Sequence, residues 1–263
     1  PAIASQFAYA KLGQVVTGIK QLGFYEVVEA ALGADMVAYA EAKELAEKGF
    51  LTSSCCPAFV SYVQKQFPTL AGNVSHNMSP MATIAKFIKG MDKEAKTIFI
   101  GPCTAKKGEA QLPGVREYVD CVMTFEELQA MLDAMNIELE KCEGSVLDNA
   151  SFYGRLFARS GGVSEAVKQV VGHEKFNVEF KPVAADGLDA CTKILRLAKA
   201  GKLDGNFIEG MACEGGCVGG PSSFNDMLTT KKFRDELLDK ADDRKILDNL
   251  KNYHMETFSM HRD

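Results

Sequence analysis

The sequence predicts an α/β fold, with two lobes of mainly parallel sheet flanked by helices and a candidate site in the cleft between them. Three observations carry this expectation. Short apolar or β-branched runs alternate with segments of helical periodicity across short connections, the pattern of strands joined by helical crossovers. The run Thr97-Ile98-Phe99-Ile100 is apolar throughout, as in a strand covered on both faces. Finally, turns carrying Gly, Pro and Cys follow the strand-like runs directly, where sheets of this kind place their ligands.

Taken in order, Leu12, Val15, Val16, Ile19 and Leu22 recur at helical spacing between Ala10 and Leu22, and Gly23 ends that helix. Phe24 to Ala31 is apolar and β-branched, which predicts a strand, and Asp35 to Lys48 has helical composition with Asp35 at the N-cap. Phe50-Leu51-Thr52 is a short extended run leading into Ser53-Ser54-Cys55-Cys56, and Pro57 suits the first turn of a helix over Ala58 to Gln66. The polar loop GNVSHNMSP leads to a helix from Met81 to Lys89. The strand Thr97 to Ile100 ends in Gly101-Pro102-Cys103, and Tyr118 to Met123 predicts another strand. Thr124 and Glu127 then form a capping box for a helix to Met135.

A polar loop near Gly144 separates the expected lobes, 1–140 and 141–263. Beyond it, Gly161-Gly162 precede a helix from Ser164 to Val171, and Phe176, Val178 and Phe180 alternate with polar residues as in a strand. Leu188 to Ala200 predicts a helix closed by Gly201, and Asn206-Phe207-Ile208 a strand entering EGMACEGGCVGGP, residues 209–221. Phe224 to Tyr253 is charged and helical in composition.

In this arrangement Cys56, Cys103, Cys213 and Cys217 fall just after strands, two from each half of the chain. Thiolates surrounded by glycine backbone point to an iron–sulfur cluster, whose sulfides accept hydrogen bonds from unobstructed N–H groups. Zinc is the alternative for four thiolates, but the closely spaced C-x-x-C knuckles of structural zinc are absent. Cys55 adjoins Cys56, and neighbours in an extended turn point opposite ways, leaving one thiol free to exchange protons. Lys106 and Glu109 share one side of any helix that begins after Cys103, with Lys106 bringing positive charge to an anionic ligand. Glu41, Glu44 and Lys48 share a helix face that reads either as a solvated surface or as a proton relay. Cys121, Cys142 and Cys191 read as ordinary buried or half-buried thiols, and His76, His173, His254 and His261 as structural or exposed.

Composition narrows the function classes. A chain of 263 residues that is 46% hydrophobic and 25% charged is globular, and eight cysteines in a chain this long are no secreted disulfide framework. The 30 basic residues are outnumbered by 35 acidic ones and form no stripe, which excludes nucleic acid as the expected partner. No apolar run approaches the roughly 20 residues of a membrane span, and PAIASQF has no signal-peptide pattern, so a cytoplasmic location is expected. The start at Pro1, without methionine, predicts a piece of a longer chain.

The segments TSSCCPAF, GPCTAKKGE and EGMACEGGCVGGP resemble, in order and ligand pattern, the three signatures of the FeFe-hydrogenase catalytic domain. PAIASQ, GADMVAYAEAKEL, NVSHNMSP and FARSGGVSEA extend the similarity from Pro1 to about Pro221. The resemblance implies a six-iron H-cluster, with a four-iron four-sulfur cubane on Cys56, Cys103, Cys213 and Cys217. On the same resemblance Cys217 would bridge to a diiron subsite bearing carbon monoxide, cyanide and azadithiolate, and Lys106 matches the lysine that hydrogen-bonds a cyanide. Pro1, Ala2, Ser79, Phe157 and Met211 match positions lining that pocket. Cys55 matches the thiol next to the bridge amine, with a proton route behind it through Glu41, Ser75 and Glu44 to Lys48 at the mouth. Glu109 matches a position supporting the lysine. The activity implied is reversible reduction of protons to dihydrogen, with electrons from a ferredoxin or an accessory iron–sulfur domain and a diiron subsite delivered by maturation proteins. A dihydrogen sensor of low turnover and a cubane-only iron–sulfur assembly protein are the alternatives. Phe59, Gly101, Glu214 and Met81 stand where the family commonly has Trp, Met, Pro and Gln, the mark of a divergent subgroup.

Overall fold

The structure, a computed structural model, describes residues 2–226, 229–230, 243–253 and 258–261. Its centre is a three-stranded parallel sheet in the order β1 (Leu51–Thr52), β5 (Phe207–Met211), β4 (Pro182–Asp186). Leu51 pairs with Phe207, and Pro182 to Asp186 pair in step with Phe207 to Met211. A second parallel pair joins β2 (Ile98–Ile100) to β3 (Cys121–Met123), from Ile98 opposite Cys121 to Ile100 opposite Met123. The three-stranded sheet therefore draws on both halves of the chain. Every residue of β5 is buried, including Glu209, whose carboxylate accepts the N–H groups of Gly161 and Ser164, both at 2.8 Å. The strand's one charge thus caps α8 (Gly162–Glu174) at its positive end and ties that helix to the sheet.

The long helix α2 (Ala30–Lys48) runs through the interior against α4 (Pro80–Met91), α7 (Phe152–Leu156), α8 and α10 (Ile246–Leu250). Ala31, Ala34, Ala38, Ala42, Gly33, Leu32, Met36, Val37 and Leu45 are buried on nearly all sides, as expected of a helix packed all round. The strand expected over Phe24 to Ala31 is absent, and the helix begins at Ala30 rather than at Asp35. Val27 and Val28 still pack against apolar clusters, but among the described residues no strand runs alongside to complete a ladder. Asp35 is instead a fully buried mid-helix carboxyl. It accepts Ser151 N–H at 2.8 Å, the Ser151 hydroxyl at 2.5 Å and Asn249 Nδ2 at 2.8 Å, and burial above all pushes it up to about 6.

At the N-terminus of α2, Arg155 grips the buried Glu29 with two hydrogen bonds of 2.9 Å, while Asn149 and Ala150 N–H groups meet the same carboxylate at 2.8 and 3.0 Å. Removing one member of such a pair strands the other charge away from water. Arg155→Ala is expected to destabilise the chain by about 3–5 kcal/mol, read from urea unfolding.

Elsewhere α1 (Leu12–Gln21), α3 (Pro57–Gln66) and α6 (Phe125–Ala134) form as expected, and α6 opens with the Thr124/Glu127 capping box. Phe176 to Phe180 is not a strand. Its three apolar side chains pack on the α2–α8 core, and the sheet position goes to Pro182–Asp186, whose register is set by Asn206 N–H on Lys181 O at 2.9 Å and Lys181 N–H on Asn206 Oδ1 at 2.8 Å. The helix α9 (Leu188–Lys199) then returns over β4 and β5. The helix expected over Phe224 to Tyr253 is not continuous, since residues 243–245 are non-helical before α10; residues 231–242 lie outside the described residues. Among the described residues no helix is long and apolar enough to cross a membrane.

Candidate functional site

Three turns leave the carboxyl ends of strands and meet. After β1, Ser53 N–H bonds Ile208 O at 2.8 Å and Gly210 N–H bonds Ser53 Oγ at 3.3 Å, so the Cys55-Cys56 turn is held beside β5. Cys56 takes the N-cap position of α3, with Pro57 in the first turn. After β2, Pro102 O accepts Ser222 N–H at 3.0 Å, and a Cβ on Gly220 would lie 2.7 Å from that same oxygen. The Cys103 turn and the Cys213–Pro221 turn thus press backbone to backbone, an approach open to glycine alone. Gly216, with φ +81°, folds the third turn onto residues 158–160, where a Cβ would lie 2.7 to 2.9 Å from main-chain atoms.

Burial first, then Cys56, Cys103 and Cys213, push the Cys217 thiol up to about 12, with Lys106 opposing. Cys213 is raised by burial and then by Cys56 and Cys103, and Cys103 by burial with Cys56 adding and Lys106 opposing. Cys103, Cys213 and Cys217 therefore each lie near Cys56 and resist losing their protons, as expected where a cation-rich body is to compensate them. Among the described residues no three His, Cys, Asp or Glu side chains converge closely enough to hold one metal ion. A four-iron cubane asks for a wider set, because each thiolate binds its own iron; the donor chemistry and the glycine-built turn fit it.

Lys106, on α5 (Ala105–Glu109), is buried and donates to Cys55 O at 3.1 Å and Glu109 Oε2 at 2.6 Å. Burial favours its neutral form, yet Glu109, Cys103 and Cys217 outweigh this and its pKa is raised, so a cation is fixed between the turns. Cys55 is buried in one apolar cluster with Phe157 and Met211. Its thiol is held neutral by burial, then by the nearby Glu41, Cys56 and Cys217. Ala2 is buried with Ala158 and Val218 against Cys217. Ser79 is fully buried and caps α4 through Ala82 N–H at 3.4 Å. Pro1 lies outside the described residues. Of the remaining thiols, Cys191 is buried within reach of Cys56, whereas Cys142 is half-buried and Cys121 is exposed, against expectation, at the start of the edge strand β3.

The residues of the expected relay fall into two pieces. In the outer piece Lys48 Nζ lies 2.6 Å from Glu44 Oε1, and the Ser75 hydroxyl donates to Glu44 Oε2 at 2.7 Å. Burial raises the Glu44 pKa, but Lys48, Ser75 and the His76 N–H outweigh it and hold the carboxylate below its ordinary value. In the inner piece Glu41 is fully buried, pushed up to about 8 by burial and then by Glu44, and accepts Ser54 N–H at 3.0 Å. Its Oε2 has no hydrogen-bond partner. Between the pieces stand two residues that the sequence motifs do not single out. Ser54 Oγ lies 3.4 Å from Glu41 Oε1 and 2.8 Å from Asn77 O, while Asn77 Nδ2 reaches Glu44 Oε2 at 2.9 Å and Ser75 Oγ at 3.0 Å. Their one sequence signal is position: Ser54 precedes the cysteine pair and Asn77 follows Ser75 by two.

Residues 1–221 match the family model described as iron only hydrogenase large subunit, C-terminal domain. The chain is 32% identical to iron hydrogenase 1 of Clostridium pasteurianum over 257 residues, covering 79% of this chain and 45% of that protein. It is 29% identical over 146 residues to the cytosolic Fe-S cluster assembly factor NAR1 of Eremothecium gossypii, covering 52% of this chain and 32% of that protein. A solved FeFe-hydrogenase structure shares the fold with a TM-score of 0.80 at 21% identity, covering 100% of this chain and 89% of that one. The chain spans about half the length of the curated hydrogenases it matches.

Proposed function

We propose, from the premise that the chain belongs to the family formed by the C-terminal domain of the iron-only hydrogenase large subunit, that it is a hydrogenase interconverting protons and dihydrogen. The observation that carries this reading is the pairing of a buried Lys106 cation with a spare Cys55 thiol backed by Glu41, groups that holding a cubane does not require. Cys56, Cys103, Cys213 and Cys217 would hold the cubane, with Cys217 also bridging to a diiron subsite carrying carbon monoxide, cyanide and azadithiolate. When bound, that group supplies an open metal position and an amine base at which dihydrogen is formed or cleaved.

The chain's own residues do the rest. Lys106, held by Glu109, would supply a cationic donor to the anionic ligands of that group. Phe157, Met211, Ala2 and Ser79 are buried and exclude water. Cys55 Sγ would take up and release the proton at the pocket end of the route. Its high pKa suits a group that transfers a proton without resting as a thiolate. Behind it Glu41, poised near neutrality, exchanges with Cys55, and Ser75, Glu44 and Lys48 lead to solvent. Electrons come from a ferredoxin or an accessory iron–sulfur domain, and maturation proteins deliver the diiron part.

The similarity to the assembly factor over about half of the chain supports a second reading, a cubane-only iron–sulfur assembly protein. Infrared spectra of the matured protein separate the two. Carbonyl and cyanide bands together with dihydrogen evolution from a reduced dye are expected. A matured protein with a cubane but without those bands is the assembly protein, and bands with very slow turnover mark a dihydrogen sensor.

A further inference from the structure

The bonds around Ser75 are one-sided. A hydroxyl has one proton to donate and two lone pairs with which to accept. Ser75 Oγ sends its proton to Glu44 Oε2 at 2.7 Å, and it accepts from Asn77 twice, from the backbone N–H at 3.2 Å and from Nδ2 at 3.0 Å. Its capacity is filled, and Glu41 shares no hydrogen bond with it. The second Nδ2 hydrogen of Asn77 lies on Glu44 Oε2 at 2.9 Å. The amide cannot face the other way round, since its oxygen would then meet a carboxylate oxygen. Asn77 is 1% exposed, and its Oδ1 is buried without a partner.

The main chain of Asn77 is held on both sides. Its carbonyl accepts the Ser54 hydroxyl at 2.8 Å, and the next N–H, from Met78, bonds Met260 O at 2.9 Å, where the C-terminal segment bridges Asn77 to His261. The side chain is fixed by Nδ2 alone, so turning it breaks two hydrogen bonds and frees both a Ser75 lone pair and a Glu44 oxygen.

We propose that Asn77 is a positioning residue that gates the relay: it aims the Ser75 proton at Glu44, occupies the lone pairs through which Ser75 would accept from Glu41, and must swing aside before a proton passes between the two carboxyls. This rests on the proton route proposed above and adds a control point to it. The charged and titratable groups facing Glu44 are Lys48 and Glu41 from α2 and the His76 ring, whose Nδ1 lies 4.0 Å from Oε1; Asn77 is the neutral member of that set.

The test uses the full chain purified without the diiron subsite. The Glu44 carboxylate band is followed by infrared spectroscopy across pH and identified by its loss in Glu44→Gln; the His76 ring gives no carboxylate band. Asn77→Ala removes a donor to the anion and is expected to shift the Glu44 midpoint upward. The near-isosteric Asn77→Asp, which brings a like charge, is expected to shift it further. In the matured protein, Asn77→Ala is expected to raise the solvent isotope effect on dihydrogen evolution, because a side-chain swing no longer limits the rate and masks the proton step. A Glu44 midpoint unmoved in both variants, or an unchanged isotope effect, overturns the gate. Missing carbonyl and cyanide bands in the matured wild-type chain would sink the hydrogenase reading instead, and the Glu44 shift would still decide whether Asn77 holds that carboxylate.

Discussion

Replacing Cys217 by serine is expected to abolish dihydrogen turnover and remove the carbonyl and cyanide bands, while leaving the chain folded. The turn that carries Cys217 is held by main-chain bonds indifferent to the thiol: Gly220 N–H to Cys217 O at 3.0 Å and Val218 N–H to Ala158 O at 3.1 Å. Gly216 seats the turn against residues 158–160 by shape. Serine therefore keeps the backbone and replaces a soft thiolate by a hydroxyl that is a poor ligand for iron–sulfur clusters. The loss should exceed the roughly 10–100-fold that removal of an outer partner of a metal ligand typically costs, because here a bridging ligand itself is gone. Iron content, infrared spectra and turnover measured on one preparation check it, with circular dichroism reporting the fold. Retention of the bands in Cys217→Ser would remove Cys217 from the bridge and leave the diiron subsite without its one proposed covalent tether.

Much of this site is legible in the sequence because its chemistry is local. Cys56, Cys103 and Cys213 follow strand ends by four, three and two residues and Cys217 by six, so the placement of strand ends is enough to bring their turns together. Thr124 and Glu127 likewise form a cap from residues three apart. Apolar composition without a neighbour misleads. Phe24 to Ala31 and Phe176 to Phe180 have strand-like side chains, but a strand exists only where another offers its hydrogen bonds, and no window of sequence shows that. Asp35 looks like a cap because carboxylates near helix starts usually are; its partners, Ser151 and Asn249, lie more than a hundred residues away. Glu209 shows the reverse: a charge inside a buried strand signals a partner, and that partner is the start of α8. Ser54 and Asn77 escape notice for a similar reason. Short polar residues in a loop carry no signal of their own, and their role arises from the side of Glu41 and Glu44 on which the fold places them.

Glu41→Gln is expected to keep the cofactor bands and lower dihydrogen turnover by about 10²–10⁴-fold, the usual effect of removing a positioned acid–base group. Glutamine can retain the oxygen that accepts Ser54 N–H at 3.0 Å, so the turn before Cys55 stays in place. What changes is the end now occupied by the unpartnered Oε2, which becomes an amide unable to take up or release a proton. The same variant carries a stability signature with a definite sign. Burial raises Glu41 from 4.5 to about 8, so between these values the folded chain keeps a proton that the unfolded chain has lost. Stability from this group is complete below pH 4.5 and declines as pH rises through about 8. Glutamine cannot ionise, and Glu41→Gln should therefore flatten the fall in unfolding free energy across that window, measured by urea titration of the chain without the diiron subsite. A parallel slope in wild type and variant would mean that Glu41 is ionised in the folded protein throughout. A carboxylate fixed as an anion could not shuttle protons to Cys55, and the inner half of the route would have to run through Ser54 instead.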